Sequence, residues 1–255
     1  MALEFTWPMT TSFAGVPSLQ ANGSSGLTGD ASPSGVAGRL EIVSDPTGVR
    51  GNVMMSRLFE TDAITASYLR SEIANDPSGF SEYWYSWKMM FGDDWGDFSE
   101  PFSIMQMHDT PDDGDPTNAP TFILAILSGH IRGIIPDQDL PTEGTTLRRV
   151  GSVKVEPMVW YDCCVHANWK KSGVAGFREF YINGVPIWRQ YGIVTEYDNV
   201  DGPFLKLGVY DGLSAADGWA QRTAYYSDIR VWSGTANHID GMGRALAQPQ
   251  NVLMI

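Results

Sequence analysis

Alternation at period two is the feature that most constrains what this chain can become. In FLKLGVYDG, residues 204 to 212, Leu205, Leu207 and Val209 fall on one side of an extended strand. Phe204, Lys206, Gly208 and Tyr210 fall on the other. The habit recurs in YLRSEI, where Tyr68, Arg70 and Glu72 share a face, and in SIMQMHD, where Gln106 and His108 lie opposite Met105 and Met107. No helical period of useful length and no internal repeat competes with it. Segments with one apolar face bury it by laying one sheet on another.

Length and composition fit that reading. A chain of 255 residues with 43% hydrophobic residues can bury a sizeable core as one β domain. Its 27 glycines, 9 tryptophans and 10 tyrosines favour turns and strands. The formal net charge of −13 argues against nucleic-acid binding, which needs a basic surface. No apolar run reaches the length of a membrane span, so no membrane partner is expected. The start, MALEFTWPMTTSF, has neither a basic n-region nor a long apolar stretch, so no signal peptide is expected. That leaves a cytoplasmic protein, or one released by lysis within a virus particle. Cys163 and Cys164 are adjacent, and a vicinal disulfide is strained, so both are read as free thiols.

Along the chain, residues 1–37 are rich in Ser, Gly, Thr and Pro and read as an irregular arm with room for a short edge strand. GRLEIV and GNVMMSRLF form an antiparallel pair about Asp45-Pro46-Thr47-Gly48. EYWYSWKMMF, PFSIMQMHD, APTFILAIL, HIRGIIP and VEPMVWYDCCVHANWKK follow as strands. REFYINGVPIWRQY is a hairpin with Asn183-Gly184 as its two-residue turn. FLKLGVYD and AYYSDIRVWSG close the series, with short helical turns predicted near residues 61–67 and 213–221. The prediction is an all-β antiparallel jelly roll over residues 38–240 and a tail over 241–255.

If the three alternating strands share a sheet, Arg70, Gln106, His108, Lys206 and Tyr210 line one surface. That set suits β-elimination from a uronic acid within a polysaccharide. Arg70 and Gln106 would bind the carboxylate and spread the charge of an enolate-like transition state. A neutral His108 or an ionised Tyr210 would take the proton beside the carboxylate, and a tyrosine would protonate the leaving oxygen. No metal or organic cofactor is needed. Gly208 is expected to leave room for a sugar lying on the sheet.

RSE at 70–72, QMH at 106–108 and KLGVY at 206–210 resemble three signature strands of the jelly-roll polysaccharide lyases. Those include the alginate lyases, heparinase I and the glucuronan lyases. GRLEIVSDPTGVRGNVMMSRLF and VWYDCCVHANWKKSGVAGFREFYINGVPIW resemble the heparinase-like branch, and the similarity spans roughly residues 38–232. The resemblance implies a concanavalin-like β-sandwich of two antiparallel sheets with a concave groove. It implies carboxylate neutralisation by Arg70 and Gln106. It makes His108 the base and Tyr210 the acid, or Tyr210 both. It makes Lys206 a substrate ligand and Glu72 an orienting group for Arg70.

Around this set, Trp84 and Lys88 share one face of the aromatic strand and are expected at the substrate, should that face not be core. HDTPDDGDP groups Asp109, Asp112, Asp113 and Asp115, oxygen donors of the kind Ca2+ takes. Their spacing is not that of an EF-hand loop, and a solvated loop is the plainer reading. His130, His166 and His238 lack metal-ligand spacing. The partner expected is an anionic polysaccharide, with virion subunits or a second copy as further contacts. The activity expected is that of a lyase, as in a phage-borne depolymerase. The rival is a non-catalytic carbohydrate-binding or structural virion protein of the same fold.

Overall fold

The computed structural model describes residues 2–7, 18–21, 27–28, 38–62, 69–96, 102–109, 112–113, 119–136, 147–171, 173–211 and 219–234. Its strands, in chain order, begin with β1 (Ala2–Trp7), β2 (Ser18–Ala21), β3 (Leu27–Thr28), β4 (Leu40–Ser44) and β5 (Asn52–Phe59). Next come β6 (Leu69–Ala74), β7 (Glu82–Phe91), β8 (Phe102–His108), β9 (Phe122–Leu127), β10 (His130–Pro136) and β11 (Leu147–Lys154). The last are β12 (Trp160–Asn168), β13 (Gly176–Ile182), β14 (Val185–Ile193), β15 (Phe204–Asp211) and β16 (Gln221–Ser233). No helix occurs among the described residues, and none there is long and apolar enough to cross a membrane. Most of the two predicted helical turns, and Tyr68, lie outside the described residues.

The strands form two eight-stranded sheets. The first runs β14-β13-β12-β7-β16-β5-β4, with β1 beside the far half of β16. The second runs β11-β10-β9-β8-β15-β6-β2-β3. Every ladder between described strands is antiparallel. The first 37 residues contribute β1 to one sheet and β2 and β3 to the other. Such pairing covers backbone groups that an open sheet edge would leave exposed. The Asn183-Gly184 turn has φ of 49° and 75°, the positive pair that a tight hairpin requires. LRRVGSVK, not picked out from sequence, forms β11 and pairs with β10 across a bulge.

The inward faces make one core. Tyr85, Trp87, Met89 and Phe91 project from β7, opposite Leu205, Leu207 and Val209 of β15. Cys163 points into this core and Cys164 away from it, both free and fully buried. Burial pushes both thiols up.

An irregularity in the second sheet shapes what lies above it. Ser103 pairs with Ala125 and Met105 with Leu124, so Ile104 is an extra residue on β8. The β15 ladder to β8 also shifts, between Leu207 and Tyr210. A bulge bends its strand and strands some backbone groups. Two side chains of the first sheet reach across the core to satisfy them. Ser56 Oγ donates to the Ser71 carbonyl at 2.5 Å and accepts from the Val209 N–H at 2.8 Å. Tyr226 Oη donates to the Ile104 carbonyl at 2.8 Å. Both side chains are 0% exposed, so no water can replace them.

Tyr226→Phe keeps the ring and removes the donor. We expect a loss of about 1–3 kcal/mol in urea unfolding, with the slope unchanged. An unchanged midpoint would show that Ile104 is satisfied in another way.

Candidate active site

The adjacent strands β8, β15 and β6 lay their outward side chains in rows. Arg70, Tyr210 and Ser103 make the first row. Glu72 stands beside Gly208 in the second. Ala74, Lys206 and Gln106 make the third, and Phe204 and His108 the fourth. All of them face away from the core because the core takes the alternate residues.

The middle of this face is dry and charged. Glu72 is fully buried and accepts a hydrogen bond from Gln106 Nε2 at 2.6 Å. This carboxylate therefore orients Gln106, and at 0% exposure it is too deep to reach a ligand. Lys206 is 5% exposed. Burial lowers its pKa, Glu72 opposes that shift, Arg70 adds to it, and Asp109 opposes it again. The Arg70 guanidinium lies over the Tyr210 ring, 5.2 Å from its centroid.

His108 sits at the far end. Its Nδ1 is 3.0 Å from the Asp109 carbonyl and 3.0 Å from Asp109 Oδ1, with good hydrogen-bond geometry only to the carbonyl. Its ring stacks on Phe204 at 5.5 Å and 27°. The His108 row meets β15 at residue 204 and the Tyr210 row six positions later. An extended strand covers that separation in about 20 Å, at about 3.3 Å per residue. The bulge lies between the two rows. The sequence-predicted residues on this face therefore form three groups along β15: Arg70 with Tyr210, Glu72 with Gln106 and Lys206, and His108, which meets Asp109.

Trp84 and Lys88 are not brought to this face. Both lie on β7 in the first sheet and point outward from it. Trp84 stacks on His166 at 3.5 Å, and Lys88 pairs with Asp162. Alternation says which residues share a face, while long-range pairing chooses the sheet. Gly208 also has another reason for being glycine. Its φ is 150°, and a Cβ there would lie 2.6 Å from Glu72 Cα and against the Ser71 carbonyl. The clash is with the neighbouring strand, not with a ligand above the sheet.

Several residues behind His108 carry no local signal in the sequence. Asp109 is 1% exposed and turned inward. Asn199 Nδ2 approaches its Oδ2 at 3.5 Å. Glu196 is 0% exposed; burial pushes it up to about 8, Asp109 adds to the rise and Arg178 opposes it. Arg178 is 3% exposed, donates to the Thr121 carbonyl, and is brought down to about 10 by burial. A polar residue in a mixed loop gives no local sign that it will be buried. Elsewhere in the acidic loop, Asp112 accepts from the Val200 N–H at 2.8 Å, and Asp115 lies outside the described residues. No group of metal ligands forms among the described residues.

Two antiparallel sheets packed face to face, with cations, an amide, a histidine and a tyrosine on the outer face of one, define a jelly-roll lyase-type sandwich. A family model described as polysaccharide lyase matches residues 10–230, and the chain belongs to that family. No curated protein sequence matches it. Among solved structures it is similar to an endo-β-1,4-glucuronan lyase from the fungus Trichoderma reesei, with TM-score 0.69 and 14% identity, covering 91% of this chain and 96% of that one. It is also similar to an alginate lyase from Pseudomonas aeruginosa, with TM-score 0.59 and 12% identity over 86% and 99% of the two chains. A third similar fold is the cellulose-induced protein Cip1, at TM-score 0.53 and 11% identity over 81% and 91%.

Glu196 makes stability depend on pH. Its folded pKa of about 8 lies above the ordinary 4.5, so its stabilising contribution is full below pH 4.5 and is lost as pH rises through about 8. A tenfold change in proton affinity is worth roughly 1 kcal/mol, so the whole effect is on the order of a few kcal/mol. Glu196→Gln, neutral throughout, should flatten the fall in unfolding free energy between pH 5 and pH 9 (about the span of that titration). Parallel pH profiles for the two proteins would assign the slope to other groups.

Proposed function

We propose that this polysaccharide lyase cleaves a uronic-acid-containing polysaccharide by β-elimination. The observation that carries the reading is the projection of Arg70, Gln106, His108, Lys206 and Tyr210 from three adjacent strands onto one face. Arg70, Gln106 and Lys206 would receive the sugar carboxylate and stabilise charge moving onto it. Glu72 supports this by holding one Gln106 N–H and leaving the other for the ligand. Proton removal beside the carboxylate falls to His108 Nε2 or to Tyr210. The freed electron pair forms the new carbon–carbon double bond, the bond to the glycosidic oxygen breaks, and Tyr210 protonates that oxygen. Rows this far apart along β15 serve one sugar only where the sheet curves between them, as a bulge promotes. The reaction needs a base, an acid and a charge sink, and no metal or organic cofactor.

The glucuronan and alginate lyases among the similar folds make those two polymers the first substrates to try. A second reading, glycan binding without cleavage, is favoured by one observation. Gln106 and Lys206 are only 3% and 5% exposed, so this floor is covered.

Near-ultraviolet absorbance during incubation with glucuronan, alginate and heparin-like glycans tests the proposal. Elimination should give a rise with the wild type that falls by about 100-fold or more in both His108→Ala and Tyr210→Phe. A loss in Tyr210→Phe alone would make the tyrosine both base and acid. A flat wild-type trace with retained glycan binding would establish the second reading.

A further inference from the structure

We propose that Asp109 is a positioning residue that holds His108 with its proton on Nδ1 and its lone pair on Nε2. The inference rests on the elimination reading for its kinetic consequence, but its structural half stands alone. Both oxygens at Nδ1 belong to Asp109: the main-chain carbonyl, which accepts the hydrogen bond, and Oδ1, each 3.0 Å away. A carbonyl oxygen only accepts, so Nδ1 must donate. In the neutral ring Nε2 is then the basic nitrogen. Oδ1 at the same distance works in the same sense, because its lone pairs would repel a bare Nδ1.

The surroundings keep Asp109 in place. It is 1% exposed, and Asn199 approaches its second oxygen at 3.5 Å. Residues 199 and 200 are clasped to this loop again through Asp112 and the Val200 N–H, at 2.8 Å. The ionisable groups whose charge reaches Asp109 include Glu196, Tyr197 and Lys206, besides His108 itself. Glu196 keeps its proton up to about pH 8, so through the neutral range it adds no second negative charge beside Asp109. Lys206, placed between Gln106 and Phe204, brings a cation to the same spot. Asp109 thus acts on the outer face through His108, the ring it touches. Neither the acidic loop sequence nor its likeness to a Ca2+ ligand set points to that role.

Ring-nitrogen NMR of the wild-type protein, without substrate, is the first measurement. A pyrrole-type Nδ1 and a pyridine-type Nε2 at His108 above its titration are expected. The opposite tautomer would overturn the proposal, whatever the protein does to glycans. Asp109→Asn and Asp109→Ser then test the side chain in the full-length protein. Each removes the carboxylate but keeps the main-chain carbonyl, so Nδ1 should stay protonated while the ring is held less firmly, and kcat should fall by about tenfold with KM within about twofold. In the His108→Ala background the same substitutions should have no further effect on kcat, since Asp109 acts through that ring. Additive losses, or an unchanged kcat, would reduce Asp109 to a structural residue. A wild type that cleaves no glycan would defeat the elimination reading alone, because the NMR result stands without turnover.

Discussion

The bulge at Ile104 governs the shape of the face above it. β8 carries one extra residue against β9, and β15 carries one against β8 between Leu207 and Tyr210, which strands backbone groups in a dry core. Such groups are costly to bury alone, roughly as costly as a lost hydrogen bond. Ser56 and Tyr226, from the opposite sheet, supply the missing partners. The two sheets are therefore joined by more than apolar contact. These polar pins reach β6, β15 and β8, the three strands that carry the candidate site, so its bend is anchored from below.

The two outward faces show what the charges are for. On the first sheet, opposite charges close on each other. His166 lies between Glu82 and Glu179, each 2.8 Å away, and Tyr181 donates to Glu179 at 2.6 Å. Burial would push Glu179 up, but those bonds and that of Tyr191 hold it down at about 2. On the second sheet, Lys206 has no carboxylate within ion-pair distance among the described residues. Glu72 gives its hydrogen bond to the neutral Gln106. Local cationic character on a chain of net charge −13 is compatible with an anionic ligand, because a focused site can outweigh the mean field.

Much of the candidate site was legible from residues. Period two separated Arg70, Gln106, Lys206 and Tyr210 from their core-facing neighbours, since alternation is a local property of any strand. The same rule failed for Trp84 and Lys88. It grouped them correctly on one face and could not say that this face belongs to the far sheet. It also missed Asp109 and Glu196, whose burial follows from packing of the 195–199 segment against the end of β8. Local reasoning assigns Gly208 the wrong purpose because its nearest obstacle is backbone from residues 71 and 72, remote in sequence.

The sequence by itself determined most of the strands (β11 and those of the first 37 residues apart), their inward and outward faces, the Asn183-Gly184 hairpin and the chemical character of the polar set. Each of these depends on neighbours within a few residues. Tertiary structure decided which strands share a sheet and where β8 gains a residue. It also decided that Glu72 would serve Gln106 and that Asp109 would turn inward to His108. Those choices depend on contacts between segments distant in sequence, from the β8–β9 ladder to that between β6 and β15, more than a hundred residues apart. Pairing over such distances is selected by the burial and hydrogen bonding of the whole sandwich, which no local pattern encodes.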